Sequence, residues 1–272
     1  MPSLWTTPGR RVQYELPDEL TVTATGSVRV VTMNRPAVKN AVNEGLHYAL
    51  GRIWPMLADD EDARVVILTG AGESFCAGGD FHFIEQSATD EAHRNRTMRD
   101  ARKIVAGMLA CPLPVIAAVN GPAVGLGCSL ALMSDIVLMA DTAFLADPHV
   151  PLGVVAADGG AVVWPFLSSL LKAKEYLFTG DRISAQTAVE LGLANRVVPG
   201  SALARETRAL AERLADRPKQ ALQSTKRVLN LHLQSAAAGI VDFALSAEAE
   251  TLAAAEFLER LTATRPRPAG RR

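Results

Sequence analysis

Residues 114–140, PVIAAVNGPAVGLGCSLALMSDIVLMA, carry the pattern that decides the fold of this chain. Val115–Val119 is an unbroken apolar run of strand length, and residues 135–140 (DIVLMA) form another. Runs without alternation are buried on both faces, as in a parallel sheet covered by helices. Between them a glycine-rich turn, 120–128 (NGPAVGLGC), leads directly into an apolar helical run at 128–134. Strand, turn, helix and strand in that order are the unit of an α/β core.

The same pattern occurs upstream. Residues 64–69 (RVVILT) form a third buried strand, followed by a second glycine turn at 70–80 (GAGESFCAGGD). Leu20–Thr25 and Val28–Met33 flank Gly26-Ser27 and read as a β-hairpin. Asn43 can cap a helix reaching about residue 59, which Pro55 should kink or shorten. Residues 92–110 are helical in pattern and stop before Pro112. From about residue 158 the chain becomes a series of alanine- and leucine-rich helices, the last expected over about 236–264. The expected organisation is an α/β core over 1–198, a helical C-terminal region over 199–264 and a disordered tail, 265–272.

With 272 residues, 49% of them hydrophobic, the chain can bury a substantial core. A net charge of −1 gives no basic field for nucleic acid or a membrane surface. No run approaches the ~20 continuous apolar residues of a membrane span, and MPSLWTTPGRR lacks the apolar core of a signal peptide, so a cytoplasmic enzyme is expected. Cys76, Cys111 and Cys128 are odd in number and form no C-x-x-C pair, which argues against a disulfide framework and a zinc site. No metal site is expected. Neither glycine turn has the G-x-G-x-x-G or phosphate-loop spacing, so nicotinamide and nucleotide-hydrolysing chemistry are disfavoured.

Each glycine turn ends a buried strand, and glycine lets backbone approach a ligand closely. Two such turns side by side can aim two backbone N–H groups at one oxygen, with a helix N-terminus adding its dipole. They can equally be tight turns that only pack against a neighbour.

Four runs, MNRPAVKNAV (33–42), VVILTGAGESFCAGGDF (65–81), the 114–140 segment and LFTGDRISAQTAVELGLANRVV (177–198), resemble the crotonase, or enoyl-CoA hydratase/isomerase, superfamily. The resemblance extends over roughly residues 20–260, with the runs in the family's order and spacing. It implies a spiral of ββα units with a helical C-terminal trimerisation region, hence a homotrimer or dimer of trimers. It also implies an acyl-CoA thioester substrate, with coenzyme A arriving as part of the substrate and no cofactor bound permanently. The oxyanion-hole N–H groups would be those of Gly79 and Leu126. Asp80, Phe81 and His82, beside the first turn, are candidate substrate contacts; Asp80 also suits a turn-stabilising Asx role.

The chain departs from the hydratases of that superfamily at two positions. Where they carry a pair of glutamates, it has Ser129 and His149. A hydroxyl cannot serve as a carboxylate base near neutral pH. An imidazole can act as a base when a carboxylate orients its second nitrogen, and Asp158 lies nine residues beyond His149. Glu248 falls in the apolar helical stripe Val241, Leu245, Leu252, where an unpartnered carboxylate would hold its proton more tightly. The trio His149, Asp158 and Glu248 resembles the catalytic set of the 6-oxocamphor hydrolases, crotonase-superfamily enzymes that cleave a carbon–carbon bond in β-diketones. Those enzymes have degenerate oxyanion turns and bind no CoA, whereas AGGD and GLG are intact here.

Each of these residues also has a plainer role open to it. Asp158 could cap the next helix, Glu248 could pair with an arginine of a neighbouring subunit, and Ser129 and Cys76 could simply pack. His47, His93 and His232 read as surface residues, and Arg94, Arg96, Arg99, Arg102 and Lys103 as a solvated helix face. The expected function is hydrolytic cleavage of a β-diketone or β-keto acyl-CoA by water activated at His149. Asp158 would orient the imidazole or stabilise its charged form, and Glu248 would deliver a proton. The alternatives are a hydratase or isomerase using His149 as base and, in another class, a non-catalytic or RNA-binding homologue.

Overall fold

The structure, a computed structural model, describes residues 10–11 and 14–264. The tail expected to be disordered, 265–272, lies outside the described residues. Strand β1 (Arg10–Arg11) pairs antiparallel with β2 (Leu20–Thr25), which forms the expected hairpin with β3 (Val28–Met33). The turn between β2 and β3 uses Gly26 at φ +57°, a conformation that glycine adopts without cost. Helix α1 (Glu44–Ala58) starts on Asn43, whose side chain accepts the Leu46 N–H at 3.0 Å. Pro55 does not shorten it, because burial of Ile53, Trp54 and Leu57 holds the last turn in place.

β4 (Val65–Gly70) follows, then α2 (Phe81–Thr89), α3 (Glu91–Ala110), β5 (Val115–Val119), β6 (Ala123–Val124), α4 (Leu126–Leu132), β7 (Ile136–Ala140) and β8 (Phe144–Ala146). Next come α5 (His149–Leu152), α6 (Gly160–Leu167), α7 (Leu170–Thr179), β9 (Ile183–Ser184), α8 (Ala185–Glu190), β10 (Arg196–Val198), α9 (Leu203–Ala215), α10 (Lys219–Leu252) and α11 (Ala255–Thr264). One sheet runs β1-β2-β3-β4-β5-β7-β10 and is parallel from β3 onward; β6, β8 and β9 form a second. Every residue of β4 and β5 is buried, as their unbroken apolar runs require. The carboxyl ends of the parallel strands share one edge, with Met33 beside Gly70 and Thr69 beside Ala118. Both glycine turns emerge there, the end of an α/β sheet where ligands bind.

Three expectations need correction. The last long helix begins at Lys219, not near 236, and breaks at Ala253–Ala254 before α11. Its polar first half is helical because tertiary contacts hold it. Buried Lys226 reaches Asp135 and the Leu113 carbonyl, each at 2.7 Å, and Asn230 reaches the Leu109 carbonyl at 2.9 Å. α10 is long and apolar enough to cross a membrane by length and composition, but it packs along α3 and α6. His47 and His93 are buried, flanking Phe83 with ring centroids 5.3 Å away on each side. His232 is exposed, as are Arg96, Arg99, Arg102 and Lys103; Arg94 instead folds back onto the Ser87 and Ala88 carbonyls.

Candidate active site

The two glycine turns lie against each other. The N–H groups of Phe75 and Cys76 both donate to the Pro122 carbonyl, and Val124 N–H donates to the Cys76 carbonyl. Asn120 fastens the first turn from the second, its amide donating to the carbonyls of Gly70, Gly72 and Ser74. The contact leaves no room for side chains: a Cβ on Gly78 would stand 3.1 Å from the Val124 carbonyl oxygen, and one on Gly127 2.6 Å from Cys76. Gly125, at φ +54°, starts α4, so Leu126 is its first residue and has no carbonyl behind it to bond. Among the described residues the N–H groups of Leu126 and Gly79 have no acceptor, and both residues line one cavity of about 460 Å³.

His149, at the start of α5, reaches that cavity beside the second turn; a Cβ on Gly125 would lie 3.5 Å from its Cε1. Its Nδ1 is hydrogen-bonded to Asp147 Oδ1, and its Nε2 is 3.6 Å from Asp158 Oδ2. The orienting carboxylate on Nδ1 is therefore Asp147; of the two roles expected for Asp158, its place beside Nε2 fits favouring the charged ring and not orienting it. Asp158 caps no helix: Gly159 occupies that position before α6, and the Asp158 carboxylate accepts the Ser129 hydroxyl at 2.7 Å. Ser129, fully buried, is neither idle packing nor a cavity-facing group. Glu248 projects from α10 into the same cavity, with Oε2 buried and lacking a protein partner among the described residues. The apolar stripe thus carries Glu248 to His149 and Asp158, as the helical spacing predicts.

The electrostatics follow from burial and proximity. Burial disfavours the charged imidazole, but the charges of Asp147 and Asp158 outweigh it and raise His149 well above the ordinary range. Burial works against ionised Asp147 too, yet His149 beside it holds that carboxyl below its usual value. Asp158 moves the other way, raised by burial and by Asp147, with His149 and Ser129 opposing. Burial pushes Glu248 up to about 8 and His47 down to about 4, so near neutral pH both are uncharged. The Cys76 thiol is pushed up to about 12 by burial, which suits packing and not nucleophilic chemistry.

Most of the rest of the cavity wall is apolar, from Phe81, Phe83 and Ile84 on α2, Met98 on α3, Leu252 on α10, and Phe257 and Leu261 on α11, with Ser87, Thr97 and Thr264 interspersed. Of the three candidate contacts beside the first turn, only Phe81 lines it. Asp80 caps α2 through the His82 N–H at 3.0 Å and pairs with Arg35 at 3.1 Å, and His82 is exposed. The plainer Asx reading of Asp80 holds. His47 lines the cavity, although the sequence placed it on the surface. One oxygen each from Asp147 and Asp158 and a nitrogen of His149 lie within 4.8 Å of one another. With Nδ1 bonded to Asp147, Nε2 is the ring nitrogen of that cluster left without a hydrogen bond among the described residues.

Residues 23–264 match the family model described as enoyl-CoA hydratase/isomerase. The chain belongs to the enoyl-CoA hydratase/isomerase family. A short-chain-enoyl-CoA hydratase of Clostridium acetobutylicum is 34% identical over 226 residues, 83% of this chain and 84% of that one. The crystal structure of an enoyl-CoA hydratase/isomerase from Mycobacterium paratuberculosis superposes with a TM-score of 0.90 at 52% identity, over 92% of this chain and 100% of that one. A β-diketone hydrolase from the cyanobacterium Anabaena, bound to (S)-3-oxocyclohexyl acetic acid, superposes at a TM-score of 0.79 and 27% identity, over 88% and 98%. The fold is that of the crotonase superfamily, and the protein is a crotonase-superfamily enzyme.

Proposed function

We propose that this enzyme hydrolyses a carbon–carbon bond between two carbonyl groups, in a β-diketone or β-keto acyl-CoA. The observation that carries the reading is His149, hydrogen-bonded to Asp147 through Nδ1 and lining the cavity onto which the N–H-bearing residues Gly79 and Leu126 also open. A water molecule gives its proton to Nε2 as its oxygen bonds to one carbonyl carbon. The bond from that carbon to the neighbouring α-carbon breaks, and its electron pair becomes an enolate. The enolate oxygen rests on the N–H groups of Gly79 and Leu126, which have no other acceptor among the described residues. Glu248, uncharged below about pH 8, supplies the proton that the α-carbon takes. The products are a carboxylic acid and a ketone from a β-diketone, or a carboxylic acid and a shortened thioester from a β-keto acyl-CoA, and return of the proton from His149 to Glu248 resets the site.

The similarity to a β-diketone hydrolase supports this reading, and the apolar cavity suits a carbocyclic or alkyl diketone. Intact glycine turns and the many enoyl-CoA hydratase relatives favour a second reading, a hydratase or isomerase of acyl-CoA thioesters with His149 as base. In either case coenzyme A would enter only as part of the substrate, no metal would be needed, and the compartment would be the cytoplasm. Exposed apolar residues on α10, among them Val228, Leu229, Leu231 and Phe243, support a homotrimer or dimer of trimers. The protein is incubated separately with cyclic β-diketones and with crotonyl-CoA, following each chromophore. Diketone loss with little crotonyl-CoA hydration is expected. Crotonyl-CoA turnover at tens per second or faster with diketones untouched would overturn the first reading in favour of the second.

A further inference from the structure

The ring of His149 lies between two carboxylates that reach it in different ways. Asp147 Oδ1 bonds to Nδ1 and also accepts the His149 backbone N–H at 3.3 Å, so one oxygen fixes both ring and backbone of the same residue. Asp158 Oδ2, at 3.6 Å from Nε2, is beyond hydrogen-bond reach, and its other oxygen is committed to Ser129. Asp147 is 1% exposed, and Gly160 makes space for it: a Cβ there would stand 3.0 Å from Asp147 Oδ2. A neutral imidazole carries one ring proton, and the nitrogen with a bonded acceptor keeps it.

We propose that Asp147 is the positioning residue of this site: it fixes the Nδ1–H tautomer of His149 and leaves Nε2, faced by the Asp158–Ser129 pair, as the nitrogen that takes and returns a proton. The proposal rests on the reading of His149 as proton acceptor, but its geometry can be tested without turnover. The two carboxylates then have separate duties. Asp147 stays ionised against the ring. Asp158, whose free oxygen is the one toward Nε2, favours the charged ring once His149 has collected a proton, with the Ser129 hydroxyl supporting the carboxylate. The titratable groups facing the imidazole are Asp147 from the turn before α5, Asp158 from the turn before α6 and Glu248 from α10.

The test is NMR of isotope-labelled histidine in the full chain, with His149 assigned by its loss in His149→Gln. The wild-type spectrum, followed from about pH 6 to about pH 10 to reach the neutral imidazole, is expected to show the Nδ1–H tautomer. In Asp147→Asn the amide can donate to Nδ1, so the tautomer should switch to Nε2–H, and kcat on whichever substrate is turned over should fall 10²- to 10⁴-fold with KM within about threefold. Asp158→Asn should lose activity yet keep Nδ1–H. Gly160→Ala displaces Asp147 without altering any charge, so it should mix the two tautomers and serve if Asp147→Asn does not fold. An Nε2–H tautomer in the wild type, or an unchanged tautomer in both Asp147→Asn and Gly160→Ala, overturns the proposal. A tautomer switch in a protein that is inert toward diketones would instead sink only the proposed function.

Discussion

Replacing Glu248 by glutamine should make the protein's stability less sensitive to alkali, and the size of the effect follows from the site. Burial raises Glu248 from 4.5 to about 8, so between those values the folded chain holds a proton that the unfolded chain has released. Wherever the folded state binds more protons, stability falls as pH rises. The contribution is fully present below about 4.5 and lost as pH passes through about 8. At about 1.4 kcal/mol per pH unit, the interval corresponds to roughly 5 kcal/mol across the whole window, and roughly 3 kcal/mol by pH 7. Glutamine occupies the same space without titrating. Any hydrogen bond that its amide gains or loses is an offset independent of pH. Urea unfolding of both proteins at about pH 5, 7 and 9 should therefore show a stability difference moving in favour of the variant by several kcal/mol. Activity should fall as stability rises, the usual balance at a site built around a buried carboxyl. A pH-independent difference between the two proteins would refute the reasoning.

Other outcomes follow from the same geometry. His149→Gln should lower kcat by 10²-fold or more while leaving the melting temperature within a few degrees, measured by initial rates and thermal unfolding. The pH–rate profile should be a bell displaced to the alkaline side, rising as His149 loses its proton and falling near pH 8 as Glu248 ionises; the falling limb should disappear in Glu248→Gln. Ser129→Ala removes the donor to a buried carboxylate and should cost about 1–3 kcal/mol by urea unfolding, with the acid limb of the rate profile moved. Gly121→Ala, whose Cβ would lie 2.0 Å from the Glu73 carbonyl oxygen, should destabilise by more than about 3 kcal/mol, seen as loss of soluble protein or of the urea midpoint.

Much of this architecture could be read in advance because local signals agreed with global ones. The hairpin around Gly26, the buried runs of β4, β5 and β7, and the two glycine turns all combine apolar length with a residue that ends it. Glu248 was legible because one helical period carries it to the cavity side of α10. Asp147 was missed although it stands two residues before His149, because an Asp-Pro pair in a turn ordinarily signals only the turn. His93 was misplaced because its sequence neighbours are polar, and His47 although Leu46, Ala49 and Leu50 beside it are buried; Phe83, which comes from α2, wedges between their rings. The early start of α10 was hidden for a similar reason. Lys226 and Asn230 look like solvent-facing residues until the carbonyls at the ends of α3 and the following loop are placed beside them.

The break at Ala253–Ala254 falls within a second, smaller body of apolar material, with Leu252 before it and Phe257 and Leu261 after it. Ala88, Val154, Leu252, Phe257 and Leu261 form a small cluster apart from the main core, and it is this cluster that roofs the cavity over His149. The roof meets the main core through few residues, Met98 among them, which packs against both clusters. A bulkier or smaller residue at Phe257 or Leu261 alters how large a molecule the cavity accepts, while β4, β5 and α4 keep the two backbone N–H groups in place. That ten-residue helix also holds α5, through Arg260 on the Pro151 carbonyl at 3.2 Å, so a change in it reaches both the room above the glycine turns and the helix that carries His149.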